Sequence, residues 1–128
     1  MSEKRRVVIT GVGAVTNIGQ DAPSTWSGMR EGRSGISKVT DPEFDRYDGW
    51  TVRIAGAIKD WDPEKFIDKR ELRRLDRCTQ LGMVAAQEAF ESAGLDISKE
   101  DPTRCGVVVG SGVGGIATIE QNVTTLIT

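Results

Sequence analysis

The sequence predicts an α/β fold with at least partly parallel strands. Two short, uncharged runs of β-branched residues, 7–9 and 107–109, have the composition of strands buried on both faces of a sheet. Each run is followed by glycines and then by a segment that can form a helix, and the strongly helical segment 69–93 lies between them. An alternation of strands and helices in this order is typical of α/β proteins.

Composition limits both the class of the protein and its chemistry. The chain has 128 residues, 38% hydrophobic and 28% charged, with a net charge of -2, so we expect one domain or part of a larger one that binds no nucleic acid through its whole surface. No apolar run approaches the ~20 residues that span a bilayer, and Cys78 and Cys105 form no disulfide framework, which favours a cytoplasmic location without membrane attachment. The chain contains no histidine, which excludes a Ser-His or Cys-His pair and a histidine-containing zinc site within these residues.

The N-terminal half is predicted to contain a strand at 4–10, a glycine loop, a helix and a long irregular segment. The helix should run from about Pro23 to Glu31, with Asp21 or Ser24 as its cap and Gly32 at its end. Residues 33–53 should form a long loop, residues 51–58 a short strand, and Asp62 should begin a helical turn. The loop should be anchored by three aromatic residues, which are Phe44, Tyr47 and Trp50.

The segment 69–93 is the strongest helix prediction, and Gly94 is its natural end. Apolar and small residues recur in it every three or four positions; they are Leu72, Leu75, Thr79, Gly82 with Met83, Ala86, Phe90 and Ala93. Four small residues in its second half predict close packing on another element; they are Gly82, Ala85, Ala86 and Ala89. The same helix should carry four arginines on its outward side, at positions 70, 73, 74 and 77.

Two features could carry function. The first is the arginine segment, residues 70–77, because guanidinium groups suit planar recognition of carboxylates and phosphates; either an acidic partner or a simply solvated face is possible. The second is the glycine loop, residues 110–115, which satisfies G-x-G-x-x-G and could serve a dinucleotide or only a tight turn. No lysine follows the glycines, so a P-loop is excluded.

Taken together, the motifs resemble the N-terminal part of a β-ketoacyl-acyl-carrier-protein synthase of the type II, elongating class. The resemblance covers the whole chain, so residues 1–128 are predicted to be the N-terminal part of such a domain. It rests on five stretches of sequence, which are residues 5–13, 25–26 with 32–36, 73–77, 93–95 and 110–115.

The resemblance implies a thiolase-like fold with α-β-α-β-α layers, incomplete in this chain, usually in a homodimer. It implies fatty-acid elongation by decarboxylative condensation of an acyl thioester with malonyl-acyl carrier protein, with no cofactor other than the phosphopantetheine arm that carries the substrates. The nucleophilic cysteine and two histidines of such enzymes match no residue here, so the chain alone is predicted to be inactive. Cys78 stands where an elongating synthase often has an aromatic residue.

By the same resemblance, Arg70, Arg73 and Arg74 match a basic patch that docks acyl carrier protein, and Gly112 and Val113 match a loop that lines the acyl pocket. Two other functions stay open at this point. One is a dinucleotide-binding α/β domain, and the other is a non-catalytic module that binds an acidic protein partner.

Overall fold

The computed structural model describes residues 4–40 and 49–128. The chain divides into two units, residues 14–62 and residues 1–13 with 63–128. No helix in the described part of the chain is both long enough and apolar enough to cross a membrane.

The unit at 14–62 contains the helix that the sequence predicts. Helix α1 spans Ala22–Arg30 and begins at Asp21, whose carboxylate accepts a hydrogen bond from the backbone N–H of Ser24 at 2.6 Å. The Ser24 Oγ accepts a hydrogen bond from the backbone N–H of Asp21 at 3.4 Å, which completes a capping box. The pKa of the Asp21 carboxyl lies below its ordinary value because the Ser24 side chain, and then the Ser24 backbone N–H, hydrogen-bond to it. The prediction of α1, its cap and its approximate end is therefore confirmed.

The same unit holds a small antiparallel ladder. Strand β1, Ser37–Lys38, pairs with β2, Ile54–Ala55, so the strand predicted at 51–58 is correct in position but much shorter. Trp50 donates from Nε1 to the Val52 carbonyl at 2.6 Å, yet it is 47% exposed and is not a buried anchor. The other two predicted anchors, Phe44 and Tyr47, lie outside the described residues.

In the second unit, the predicted helix 69–93 is two helices. Helix α2 is a single turn, Lys69–Leu72, and α3 spans Arg77–Ala93. The break falls at Asp76, whose ψ of 154° is extended, as is normal for a residue that precedes a helix. The prediction of one continuous helix was wrong because aspartate favours a new helix start, and because closely spaced arginines repel each other within one helix. Gly94 ends α3 with a φ of 61°, as predicted.

Helix α3 packs through a narrow face of alanines against the two glycines at 11 and 13. A Cβ at Gly11 would lie 2.7 Å from the Ala93 backbone nitrogen, and one at Gly13 would lie 2.8 Å from that of Ala89. Glycine is therefore required at both positions by the close approach of the backbones.

The packed side of α3 differs from the predicted apolar stripe. Val84 is buried and Ala85 and Ala89 are half-buried, whereas Met83 and Phe90 are 43% and 39% exposed. Gly82 and Ala86 are exposed as well, so only half of the predicted small-residue contact forms. The pattern of large residues was misleading because the partner of α3 is a glycine backbone that admits only small side chains.

Helix α4 spans Ile116–Ile127 and begins after the glycine loop. Its apolar residues recur at helical spacing and fall on one face. All of them are at least half exposed; they are Ile116, Ile119, Val123, Leu126 and Ile127.

The two buried strands predicted at 4–10 and 107–109 do not form. Among the described residues the only sheet is the β1–β2 pair, and Val8 and Val108 are 69% and 99% exposed. A β-branched run becomes a strand only where a neighbouring strand accepts its backbone hydrogen bonds. These two runs find no such neighbour within the described part of the chain.

The chain consequently exposes an unusual amount of surface. Its accessible area is 11243 Å² for 13.9 kDa, where one folded domain of that mass would expose about 6,700 Å² and two separate smaller ones about 8,000 Å² in total. Ile67 and Val84 are the buried apolar side chains among the described residues. Most of the large apolar side chains that the structure describes are therefore exposed.

Two alanine substitutions test the packing of α3. Gly13→Ala should speed amide hydrogen exchange in α3, because its methyl group would collide with the backbone at Ala85 and Ala89. Gly82→Ala should slow the exchange, because nothing lies within 4 Å of its Cβ position and alanine favours a helix interior by about 1 kcal/mol over glycine. Peptide-level exchange measured by mass spectrometry checks both; equal exchange in the two variants would contradict the packing.

Candidate functional site

The arginine segment presents its guanidinium groups to solvent from two helices and the turn between them. Arg70 lies in α2, Arg73 ends that helix, Arg74 lies in the turn, and Arg77 begins α3. All four residues are exposed. The single stripe predicted on one helix is therefore replaced by a bent basic surface, which is still directed outward.

Three of these arginines have no protein partner among the described residues. No hydrogen bond or ion pair joins the guanidinium groups of Arg70, Arg73 and Arg74 to another residue that the structure describes, whereas the adjacent Lys69 pairs with Glu64 at 3.0 Å. Three unneutralised charges so close together repel one another and attract an anion. The arrangement can thus bind an acidic surface without first breaking an internal ion pair.

The glycine loop lies open at the surface. Gly114 has a φ of 77°, which favours glycine, and the Ile116 N–H is 2.9 Å from the Gly114 carbonyl where α4 starts. Val113 is 68% exposed, and beyond its chain neighbours nothing described lies within 4 Å of a Cβ position at Gly112. Val113 is the only sizeable side chain in the loop, and it is open to solvent.

One side chain that sequence reasoning missed connects these two features. Thr118 donates a hydrogen bond from Oγ1 to Oδ1 of Asp76, across 42 residues of sequence. The Asp76 carboxyl group also lies where a side chain at Gly115 would have to be. The contact brings the arginine segment and the glycine loop together. Its only sequence signal is an aspartate at a helix start and a glycine at another, which is too common to be diagnostic.

The described residues hold no catalytic or metal-binding cluster. Cys78 and Cys105 are free and exposed, and no group of three potential metal ligands occurs in the described part of the chain. With no histidine in the sequence, neither cysteine can have a histidine base within this chain.

The glycine motif that begins at Gly11, after the predicted strand at 4–10, is closed by hydrogen bonds of Thr16. The Thr16 N–H donates to the Gly19 carbonyl at 2.7 Å, and its Oγ1 accepts from the N–H groups of Ile18 and Gly19 at 3.2 Å. Neither this motif nor the glycine loop follows a strand in the structure, which removes the context that a dinucleotide fingerprint requires.

Comparison with known proteins gives a consistent assignment. The family described as "Beta-ketoacyl synthase, N-terminal domain" matches residues 4–126. A 3-oxoacyl-[acyl-carrier-protein] synthase 2 of Staphylococcus aureus (strain COL) is 46% identical over 120 residues, which are 94% of this chain and 28% of the relative. The enzyme of the same name from Synechocystis sp. is 39% identical over 125 residues, 98% of this chain and 29% of the relative.

Solved structures agree with this assignment. A ketosynthase complex described as a type II PKS acyl-carrier protein with its ketosynthase bound to the hexaketide matches with a TM-score of 0.71 and 31% identity, covering 97% of this chain and 32% of that one. The ishigamide ketosynthase/chain length factor matches with a TM-score of 0.76 and 29% identity, covering 96% and 31%. The present chain spans less than a third of each protein's length. It belongs to the β-ketoacyl synthase family, as part of its thiolase-like fold.

Proposed function

We propose that the synthase containing these residues elongates fatty acids by condensing an acyl thioester with malonyl-acyl carrier protein, with loss of CO2. The observation that carries this proposal is the 46% identity, over nearly the whole chain, to a relative named 3-oxoacyl-[acyl-carrier-protein] synthase 2. These residues would contribute binding surfaces, while the nucleophile and the histidines would come from outside the matched third of the enzyme.

The first binding surface is for the carrier protein. Arg70, Arg73 and Arg74 are exposed and have no partners among the described residues, so an acidic carrier would meet a preformed basic surface. The ketosynthase with a TM-score of 0.71 is described in complex with an acyl-carrier protein, which supports a partner of this kind. Charges at such a rim mainly accelerate association, and salt weakens their effect.

The second surface is for the acyl chain. Val113 stands alone among the glycines of its loop, so its volume would set the local depth of a pocket for a hydrocarbon chain. Its β-branched, apolar side chain suits contact with methylene groups. Gly112 would let the acyl chain pass close to the backbone.

The assembly proposed for the complete synthase is a homodimer in the cytoplasm. It would use no resident cofactor or metal, because the substrates arrive on the phosphopantetheine arm of the carrier protein. Two free and exposed thiols fit a reducing compartment.

Charge reversal in the arginine segment tests the proposed function. In a chimera where this chain replaces the matching segment of the S. aureus relative, we expect carbon-carbon bond formation, whereas the chain alone should give none. Arg73→Glu with Arg74→Glu should raise the KM for carrier-linked substrate at low salt. Each exposed pair is worth up to about 1 kcal/mol, or roughly fivefold.

The controls separate docking from misfolding. Arg104→Glu makes the same charge change at another exposed position and should leave the KM unaltered. An acyl-CoA donor, which needs no docking surface, should show little change in either variant, and high salt should shrink the difference. Equal losses with both donors, or none with either, would contradict carrier docking at the arginine segment.

The size of residue 113 should control the chain length that the chimera accepts. Val113→Phe should favour short acyl donors, because each excluded methylene forfeits about 0.8 kcal/mol of burial, or roughly fourfold in kcat/KM. Val113→Ala should shift the preference in the opposite direction. Relative rates with short and long donors measure the effect, and an unchanged ratio in both variants would remove Val113 from the acyl pocket.

A further inference from the structure

Asp76 stands at a helix start but does not cap its own helix. Four other aspartates that precede helical turns each accept a hydrogen bond from a backbone N–H two or three residues later; they are Asp21, Asp68, Asp96 and Asp101. Asp76 occupies the same position before α3, yet its side chain makes no capping hydrogen bond there. Its carboxylate instead accepts from Thr118, in α4.

Helix α4 in turn has no cap of its own. It begins after Gly115, which has no side chain, and no capping hydrogen bond forms there. The carboxylate of Asp76 lies against Gly115 and bonds the third residue of the helix, Thr118, so a negative charge sits at the positive end of the α4 dipole. Asp76 thus bonds the first turn of α4 through the Thr118 hydroxyl, whereas the other aspartates bond backbone N–H groups of their own helical turns.

The contact lies between the two surfaces that the proposed function uses. Asp76 is two residues after Arg74, and Gly115 is two residues after Val113. Any shift of α4 away from Asp76 would therefore move the glycine loop relative to the arginine segment. This arrangement requires glycine at position 115, because a methyl group there would collide with the Asp76 carboxyl group.

We propose that Asp76 is a positioning residue, which holds the glycine loop in place through Thr118 and Gly115. Loss of the contact should displace Val113 and so change which acyl chains are accepted. This consequence for catalysis rests on the proposed function. The carrier protein would still meet the exposed arginines, so its KM should change little.

The contact itself is tested by thermal unfolding of the chimera, without any assay of activity. Thr118→Val removes the hydroxyl and keeps the shape, and should lower the Tm by about 2 °C. The same change in an Asp76→Ala background should have no effect, because the acceptor is already gone. Gly115→Ala should lower the Tm when residue 76 is aspartate, and should be tolerated in the Asp76→Ala background. Additive effects in both pairs would overturn the contact.

The positioning role is tested by substrate selection. Thr118→Val should change the ratio of kcat/KM for long and short acyl donors by about threefold or more, with the carrier KM unchanged, and Asp76→Ala should change the ratio to the same extent. Thr118→Ser, which keeps the hydroxyl, should retain the original ratio. If the Tm effects are non-additive but the ratio of kcat/KM for long and short donors does not change, the positioning role is overturned. An unsubstituted chimera that folds but forms no product would refute the proposed function, while the stability pairs would still decide the contact.

Discussion

The structure depends on one constraint, which is that a strand cannot satisfy its backbone alone. The β-branched runs at 7–9 and 107–109 have the side chains of buried strands, but within the described residues no neighbouring strand pairs with either. Their side chains stay exposed, and so does the apolar face of α4 that follows the second run. The helices form because their hydrogen bonds are local, whereas the sheet requires partners.

The second unit is held together by close backbone approach and polar contacts more than by a hydrophobic core. Gly11 and Gly13 meet the alanines of α3 at distances that exclude any side chain. Asp76 joins the start of α3 to the start of α4. These contacts join the elements that carry the proposed functional residues, while large apolar side chains such as Phe90 and Leu126 stay exposed.

The sequence predicted those features whose causes are local. The cap and end of α1, the glycine end of α3 and the outward direction of the arginines follow from residues within a few positions of one another. The break at Asp76 was missed because an apolar period continues across it in the sequence. The Asp76–Thr118 contact was missed because nothing local links residues 42 positions apart. The role of Val113 came from the family resemblance and not from the exposed loop itself, and that role stays a prediction.

Residues 7–9 and 107–109 should form strands only where neighbouring strands pair with them. Amide hydrogen exchange of these two runs, compared between the 128-residue chain and the chimera with the S. aureus relative, tests it most directly. Exchange should be fast in the chain alone and strongly slowed in the chimera, where the remaining part of the fold can pair with the two runs. Equal, fast exchange in a folded and active chimera would contradict it.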